Sequence, residues 1–329
     1  MESIDYSVII RTTGNAHEKY QALLDSISAL EPQPKEVIVV LPENYALPEE
    51  QLGWETFYYC PKGMVIQRMT GVSKCATRFA LLCDDDVNFS SDFVQKLYEP
   101  VRRGLGAFSA GPLYSFLPPK GANAALCTVM GSAVPTIFHK KDRYVSVLKS
   151  TGYSYNRHLK PGQYYETQSV AWTCFFADLH AIRDIAFDEE SWLDTHGYSA
   201  MDDQTMFYKA WLRGYKTIVV AEAYYVHLDA KTSTKNNKPN VLYSAMFNRV
   251  IFWHRFIYSM QKNTAQKAIA KIAFAYRIFW IHLWNQINVA RHRMSKEDLN
   301  IVKQGYTDAK RFLMSDEYDA LPAVYKESI

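Results

Sequence analysis

Three consecutive carboxylates, Asp84, Asp85 and Asp86, end the apolar run Phe79-Ala80-Leu81-Leu82-Cys83. A run of that length reads as a buried strand, and the exposed carboxyl end of a buried strand in an α/β sheet is where ligands are held. Adjacent carboxylates repel one another, and a bound divalent cation removes that repulsion. Oxygen-only donors suit Mg²⁺ or Mn²⁺ better than zinc. The alternative is a solvated acidic turn leading into the next helix, since Asn88 to Asp92 supplies N-cap residues. A second acidic pair, Asp202-Asp203, opens another helical stretch, where it is either chemistry or a favourable start for the helix dipole. His227 stands after the apolar Tyr224-Tyr225-Val226, as a candidate ligand or as a hydrogen-bonded core histidine.

The elements that must position these groups alternate in type. Tyr6 to Arg11 reads as a strand, Glu18 to Leu30 as a helix with Tyr20, Leu23, Leu24 and Ile27 on one face, and Glu36 to Val40 as a second strand. That order implies a right-handed crossover and neighbouring parallel strands. A strand around Thr56–Tyr59 leads to Lys62-Gly63 and a helix over 65–76. The acid-tipped strand follows, then a helix over 91–103 and a strand over 107–112. From 138 to 166 the pattern dissolves into basic, Tyr-rich sequence broken by Gly and Pro, a loop of a length that usually carries function or disorder. Val170 to Phe176, a helix over 178–185, a helix from Asp203 to Arg213 closed by Gly214, and a strand over 216–220 complete the pattern. The fold class expected is α/β, a mostly parallel Rossmann-like sheet flanked by helices, with a helical C-terminal extension. The expected divisions are a catalytic domain over 1–229 with halves 1–112 and 113–229, a flexible linker over 230–240, and the extension over 241–329.

Several motifs in one order carry a resemblance. Arg11-Thr12-Thr13 after the first strand, Lys62-Gly63 followed by Arg68 and Gly71, and Asp84-Asp85-Asp86-Val87 stand in the first half. Trp172-Thr173-Cys174, Phe187-Asp188-Glu189, Met201-Asp202-Asp203-Gln204 and Arg213-Gly214-Tyr215 stand in the second. Over about 230 residues the chain resembles family 2 glycosyltransferases of the GT-A fold, inverting enzymes that use nucleotide-sugar donors. The resemblance implies that Asp86 ligates Mn²⁺ or Mg²⁺, that Asp84 contacts the metal or the ribose, and that His227 is a third ligand. Thr12, Lys62 and Arg68 fall on its nucleotide side. Asp203 is its base, with Asp202 the neighbour, and Asp85 fixes the turn. Where the family's second strand commonly ends in an acidic pair, this chain has Leu41-Pro42-Glu43-Asn44, which leaves Glu43 as the acid there. Lys231, Lys235 and Lys238 stand on a polar stretch able to close over a diphosphate and exclude water.

Charge divides the chain. Residues 1–229 hold 21 Lys/Arg against 27 Asp/Glu, and residues 230–329 hold 16 against 7, so net charges of −6 and +9 underlie the overall +3. No Asp or Glu occurs between Ala230 and Lys296. Over 241–262 and 265–293, aromatic and aliphatic residues are interleaved with cations such as Arg249, Arg255, Lys267 and Lys271. That spacing opposes a bilayer crossing and suits helices lying on an anionic membrane surface, packed on the catalytic domain, or paired in a homodimer. Five scattered cysteines without C-x-x-C spacing indicate reduced thiols. Met1 to Asp5 lacks an export signal's basic flank and apolar core, so a cytoplasmic protein, peripheral on the inner membrane face, is expected. The expected partners are a nucleotide-sugar donor and a carbohydrate acceptor, lipid-linked as in bacterial surface polysaccharide synthesis; nucleic acid is not among them. Two other classes use similar signals. Haloacid-dehalogenase-type phosphatases place Asp-x-Asp at a strand end, normally the first strand, and a non-catalytic nucleotide- or glycan-binding module needs no base.

Overall fold

The computed structural model describes residues 4–118, 120–136, 141–229 and 237–325. The apolar runs become the centre of an eight-stranded sheet. β1 (Tyr6–Arg11), β2 (Glu36–Pro42), β3 (Thr56–Cys60) and β4 (Phe79–Asp84) are mutually parallel, in the spatial order β4-β1-β2-β3. β1 is buried along its whole length, as a strand covered on both faces must be. Its residues alternate between two cores, Ile9 on one side and Tyr6, Val8 and Ile10 on the other. The second of these cores is closed by α1 (Glu18–Ser28) and α3 (Phe93–Arg102). On the first lies α2 (Met64–Lys74), where a Cβ on Gly71 would stand 2.3 Å from Ile9 Cγ2, so only glycine permits the helix this close.

The sheet continues beyond β4 with strands from the second half. β11 (Cys174–Asp178) lies antiparallel between β4 and β6 (Phe108–Ala110), followed by β12 (Thr217–Val220) and an edge strand, β10 (Tyr164–Thr167). Outside it, β5 (Val87–Phe89) pairs antiparallel with β13 (Tyr225–His227). The stretch that reads as a long loop is instead partly ordered. β7 (Ala133–Pro135), β8 (Val145–Val147) and β9 (Tyr153–Tyr155) form a small sheet in the order β7-β9-β8. Strands of three residues are too short to produce a readable alternation. α4 (Ala122–Val129) precedes this sheet; α5 (Leu179–Ile185) and α6 (Asp202–Leu212) pack on the main one.

The C-terminal part is helical, as expected, but its cations point differently. α7 (Lys238–Phe252) runs into a π-helical turn (Trp253–Tyr258), then come α8 (Thr264–Ala290), α9 (Lys296–Phe312) and the short α10 (Asp316–Asp319). α9 begins with a reciprocal capping box between Ser295 and Asp298. Phe247, Ile251, Phe252 and Phe256 join the same apolar core as Phe175 and Phe207. Arg255 lies inside, bonding both oxygens of the fully buried Glu190 at 2.8 and 2.9 Å, while Lys209 Nζ reaches the same carboxylate at 2.8 Å. Arg249 donates to Thr151 Oγ1 at 3.1 Å. These two arginines are therefore internal contacts of the extension and not its outer charges. Among the described residues no helix is long and apolar enough to cross a membrane. The five cysteines are free thiols; Cys83 and Cys174 face each other across β4 and β11 with their sulfurs 3.3 Å apart.

Candidate active site

The chain leaves β1 toward β2 on one side and returns to β4 on the other, which makes the carboxyl ends of β1 and β4 the switch point of the sheet. Strand register sets Arg11 beside Asp84. Arg11 Nη2 lies 3.1 Å from Asp84 Oδ1, and Arg68 Nη2 reaches the same oxygen at 3.0 Å. Arg68 also donates from Nη1 to Asp202 Oδ2 at 2.6 Å, and its guanidinium sits 4.3 Å above the Trp172 ring. One nearly buried cation thus bridges the strand-end acid to the helix-start acid. Arg68 owes its position to the start of α2. There Asp194, 130 residues away in sequence, accepts from the N–H groups of Met64, Val65 and Ile66 at 2.8 to 3.2 Å. The carboxylate occupies the positive end of the helix dipole.

The three acids of the triplet diverge. Asp84 is engaged with the two arginines. Asp85 turns inward and accepts from Thr12 Oγ1 at 2.6 Å; burial raises its carboxyl to about 6, against the pull of Arg11. Asp86 faces His227, with Asp86 Oδ1 3.3 Å from His227 Nε2, and Asp86's carbonyl accepts from Leu228 N at 2.7 Å. Pairing of β5 with β13 sets this, since Val87 stands opposite His227. Burial alone would lower the His227 pKa, but the hydrogen bond to Asp86 outweighs it and the pKa rises. Among the described residues no three His, Cys, Asp or Glu side chains converge on one point. A cation here would rest on Asp86 and His227, with its remaining positions filled by ligand oxygens, the arrangement Mg²⁺ and Mn²⁺ adopt with substrate phosphates.

Asp202 and Asp203 open α6 without capping it. The N-cap position is Met201, at φ 72°, and no side chain caps the helix. Asp202 is drawn to Arg68, and the half-buried Asp203 accepts from Gln204 N at 2.7 Å. Burial first, and the charge of Asp202 second, push the Asp203 carboxyl up to about 7. Asp203 lines two cavities. One, of about 770 Å³, is polar and includes Arg11, Arg68, Asp84, Asp86 and His227. The other, of about 660 Å³, is walled by Leu113, Leu117, Tyr144, Val147, Tyr153 and Val170. Phe116 lines both.

The remaining expected residues separate. Lys62 lines a third cavity of about 1010 Å³ that shares Arg11 and Tyr198 with the polar one, and its Nζ lies 2.7 Å from the Tyr45 hydroxyl. Thr12 is 1% exposed and lines none of these three cavities; it donates to Asp85 and accepts from Gly14 N. Glu43 is exposed at the end of β2 and lines none of these cavities. Lys231 and Lys235 lie outside the described residues, and Lys238, the first residue of α7, is held by Asp298 at 2.6 Å. Arg11, which the sequence offers only as part of its motif and without a role, lines the site together with Asp194 and Tyr198, which the sequence does not single out. Arg11 was discoverable, because it ends β1 as Asp84 ends β4. Asp194 was not, because its partners are distant in the chain.

No protein-family profile matches the chain, and no curated protein matches it in sequence. Solved structures do. Residues 1–349 of S. aureus TarS superpose with a TM-score of 0.51 at 14% identity, covering 97% of this chain and 83% of that one. The same protein in complex with UDP-GlcNAc gives 0.50 at 13% identity, covering 97% and 84%. GalNAc-T7 with UDP, GalNAc and Mn²⁺ gives 0.51 at 11% identity, covering 88% of this chain and 58% of that one. The chain thus has the fold of GT-A type glycosyltransferases, a mixed α/β sheet with its candidate site at the carboxyl ends of β1 and β4.

Proposed function

We propose that this protein is an inverting glycosyltransferase that moves a sugar from a nucleoside-diphosphate donor to a hydroxyl of a carbohydrate acceptor. The observation that carries the reading is Asp203, a carboxylate with raised proton affinity standing where a polar cavity lined by aspartates, Arg11 and Arg68 meets an apolar, aromatic-walled one. With a divalent cation to offset its carboxylates the polar side would suit a diphosphate, and the tyrosine-lined side suits the apolar face of a sugar ring. The complexes of the structural neighbours with UDP-GlcNAc and with UDP, GalNAc and Mn²⁺ support the donor class. A phosphatase or a passive binding module explains the strand-end acids but not a second acid poised near neutrality between two cavities.

In this reading the acceptor hydroxyl attacks the anomeric carbon as the bond from that carbon to the diphosphate breaks. The leaving group takes the bonding electron pair, and Asp203 takes the hydroxyl proton. Asp203 must be ionised to act, and Arg68, paired with Asp202, offsets the neighbouring charge that opposes this. Arg11 and Arg68 place positive charge beside the leaving group and fix Asp84 between them. Mn²⁺ or Mg²⁺ held by Asp86 and His227 would neutralise charge developing on the diphosphate. The acceptor we favour is a lipid-linked carbohydrate of bacterial surface polysaccharide synthesis. A thermal-shift panel of UDP-, GDP-, CMP- and dTDP-sugars with and without Mn²⁺ tests the donor side, because a ligand of the native state raises apparent stability. The expected result is stabilisation by one donor class, enhanced by the metal. Stabilisation by none, or hydrolysis of phosphomonoesters, would refute the reading.

A further inference from the structure

Helix α8 is long, and one of its faces lies open over residues 268–279. Its buried residues are Ala270, Phe274 and Ile278, with Phe274 stacked on Trp253 at a centroid distance of 4.3 Å. The opposite face consists of Ala268, Ile269, Ile272, Ala275, Tyr276 and Phe279, all exposed. Ile269 is 55%, Ile272 71% and Phe279 58% exposed. Steps of three and four residues put them on one stripe spanning three turns. No charge interrupts it. The stripe continues onto α4, because the Tyr276 hydroxyl donates to the Val129 carbonyl at 2.5 Å and Val129 is itself 51% exposed. A continuous apolar face of this kind is an interaction surface and not ordinary protein exterior.

Charge selects what covers it. Neither α4 nor α8 contains an Asp or Glu. Exposed cations border the stripe: Lys262 just before α8, Lys271 alongside the stripe on the flank toward Tyr258, and Arg291 and Arg293 just past the helix end. We propose that α8, with α4 beside it, lies flat on the surface of an anionic bilayer, its apolar stripe among the acyl chains and its flanking cations at the headgroup phosphates. The face has the composition such helices need, an apolar side bordered by Lys and Arg. A second copy of the chain fits poorly. A two-fold axis pairs like surface with like, so α8 against α8 would bring cation to cation with no acid on either helix to offset them.

The proposal is independent of the catalytic reading and is tested without turnover. The full-length protein is sedimented with vesicles of phosphatidylcholine alone and with added phosphatidylglycerol, and its mass in solution is measured by light scattering. The expected result is binding that requires phosphatidylglycerol and weakens with salt, by a protein that is monomeric without vesicles. Ile272→Glu with Phe279→Glu, at two exposed positions, should cut the bound fraction about tenfold while leaving the thermal midpoint unchanged. Lys262→Gln with Lys271→Gln should weaken binding and its salt dependence without touching the stripe, and it provides the test if the first pair misfolds. Failure of the wild type to bind anionic vesicles at low salt overturns the proposal. Equal binding by either variant pair overturns it too, and so does a stable dimer that the Ile272→Glu, Phe279→Glu pair dissociates.

Discussion

Replacing Asp203 by Asn removes a proton acceptor and a charge while keeping size and the ability to accept from Gln204 N. Its consequences can be worked out from the site. The folded chain raises this carboxyl from 3.8 to about 7, and each pH unit corresponds to about 1.4 kcal/mol. Ionised Asp203 therefore costs the folded state up to about 4 kcal/mol. The side chain is half-buried, and solvent screening reduces this to about 2 kcal/mol. The folded carboxyl holds its proton more tightly than the unfolded one, so wild-type stability is lost as pH rises from the ordinary carboxylate range through about 7. Asn escapes that loss. At about pH 8 the variant should melt about 4 °C higher than wild type, and the difference should vanish as pH falls toward about 4. Turnover should move the other way. Wild-type transfer rises with pH until Asp203 is ionised, and Asp203→Asn should lose about a thousandfold in rate at every pH, with donor binding kept. Scanning fluorimetry from about pH 4 to 8 and release of nucleoside diphosphate at saturating donor measure both. A stability difference that does not change with pH, or an Asn variant with more than about a tenth of the wild-type rate, would refute the assignment of the base.

Other perturbations separate the remaining parts of the site. Asp86→Asn should abolish the metal-dependent part of donor stabilisation and reduce turnover by at least about a hundredfold, with the melting curve of the unliganded protein unchanged; calorimetry with donor and Mn²⁺ checks this. Asp194→Ala strips the start of α2 of its cap, which should cost about 1–2 kcal/mol in denaturant titration, and should also lower turnover because Arg68 loses its fixed base. Glu190→Gln leaves Arg255 and Lys209 buried against a neutral partner and should cost about 3–5 kcal/mol. The Glu190 carboxyl is pulled down by Arg255 and Lys209 against the effect of burial. The wild-type advantage should therefore be complete above the ordinary carboxylate range and fade as pH falls below it.

The sheet was legible because its central strands are buried on both faces, and a continuous apolar run with an acid at its tip carries both the element and its functional end. Asp84 and Asp86 stood out from such local context at a strand end, whereas Arg68, and the roles of Asp203 and His227, came from the family resemblance. Their division of labour was not legible. Asp84 and Asp86 are two residues apart, yet one is tied to Arg11 and Arg68 and the other to His227, because the turn into β5 sends successive side chains in different directions. Thr12 has the motif position of a ligand-binding residue and the contacts of a structural one.

Long-range partners account for what local pattern could not supply. Asp194 caps a helix from the other half of the chain, and Arg255 finds Glu190 across 65 residues; nothing in either segment's own sequence encodes the meeting. The same holds for the basic tail. Composition alone determined that the segment from 230 to 296 is acid-free, aromatic and unable to cross a bilayer comfortably. Only packing decided that Arg249 and Arg255 turn inward while Ile272 and Phe279 stay outside. Which face of an amphipathic helix is buried depends on the surface available to cover it, and that surface is assembled from the rest of the chain.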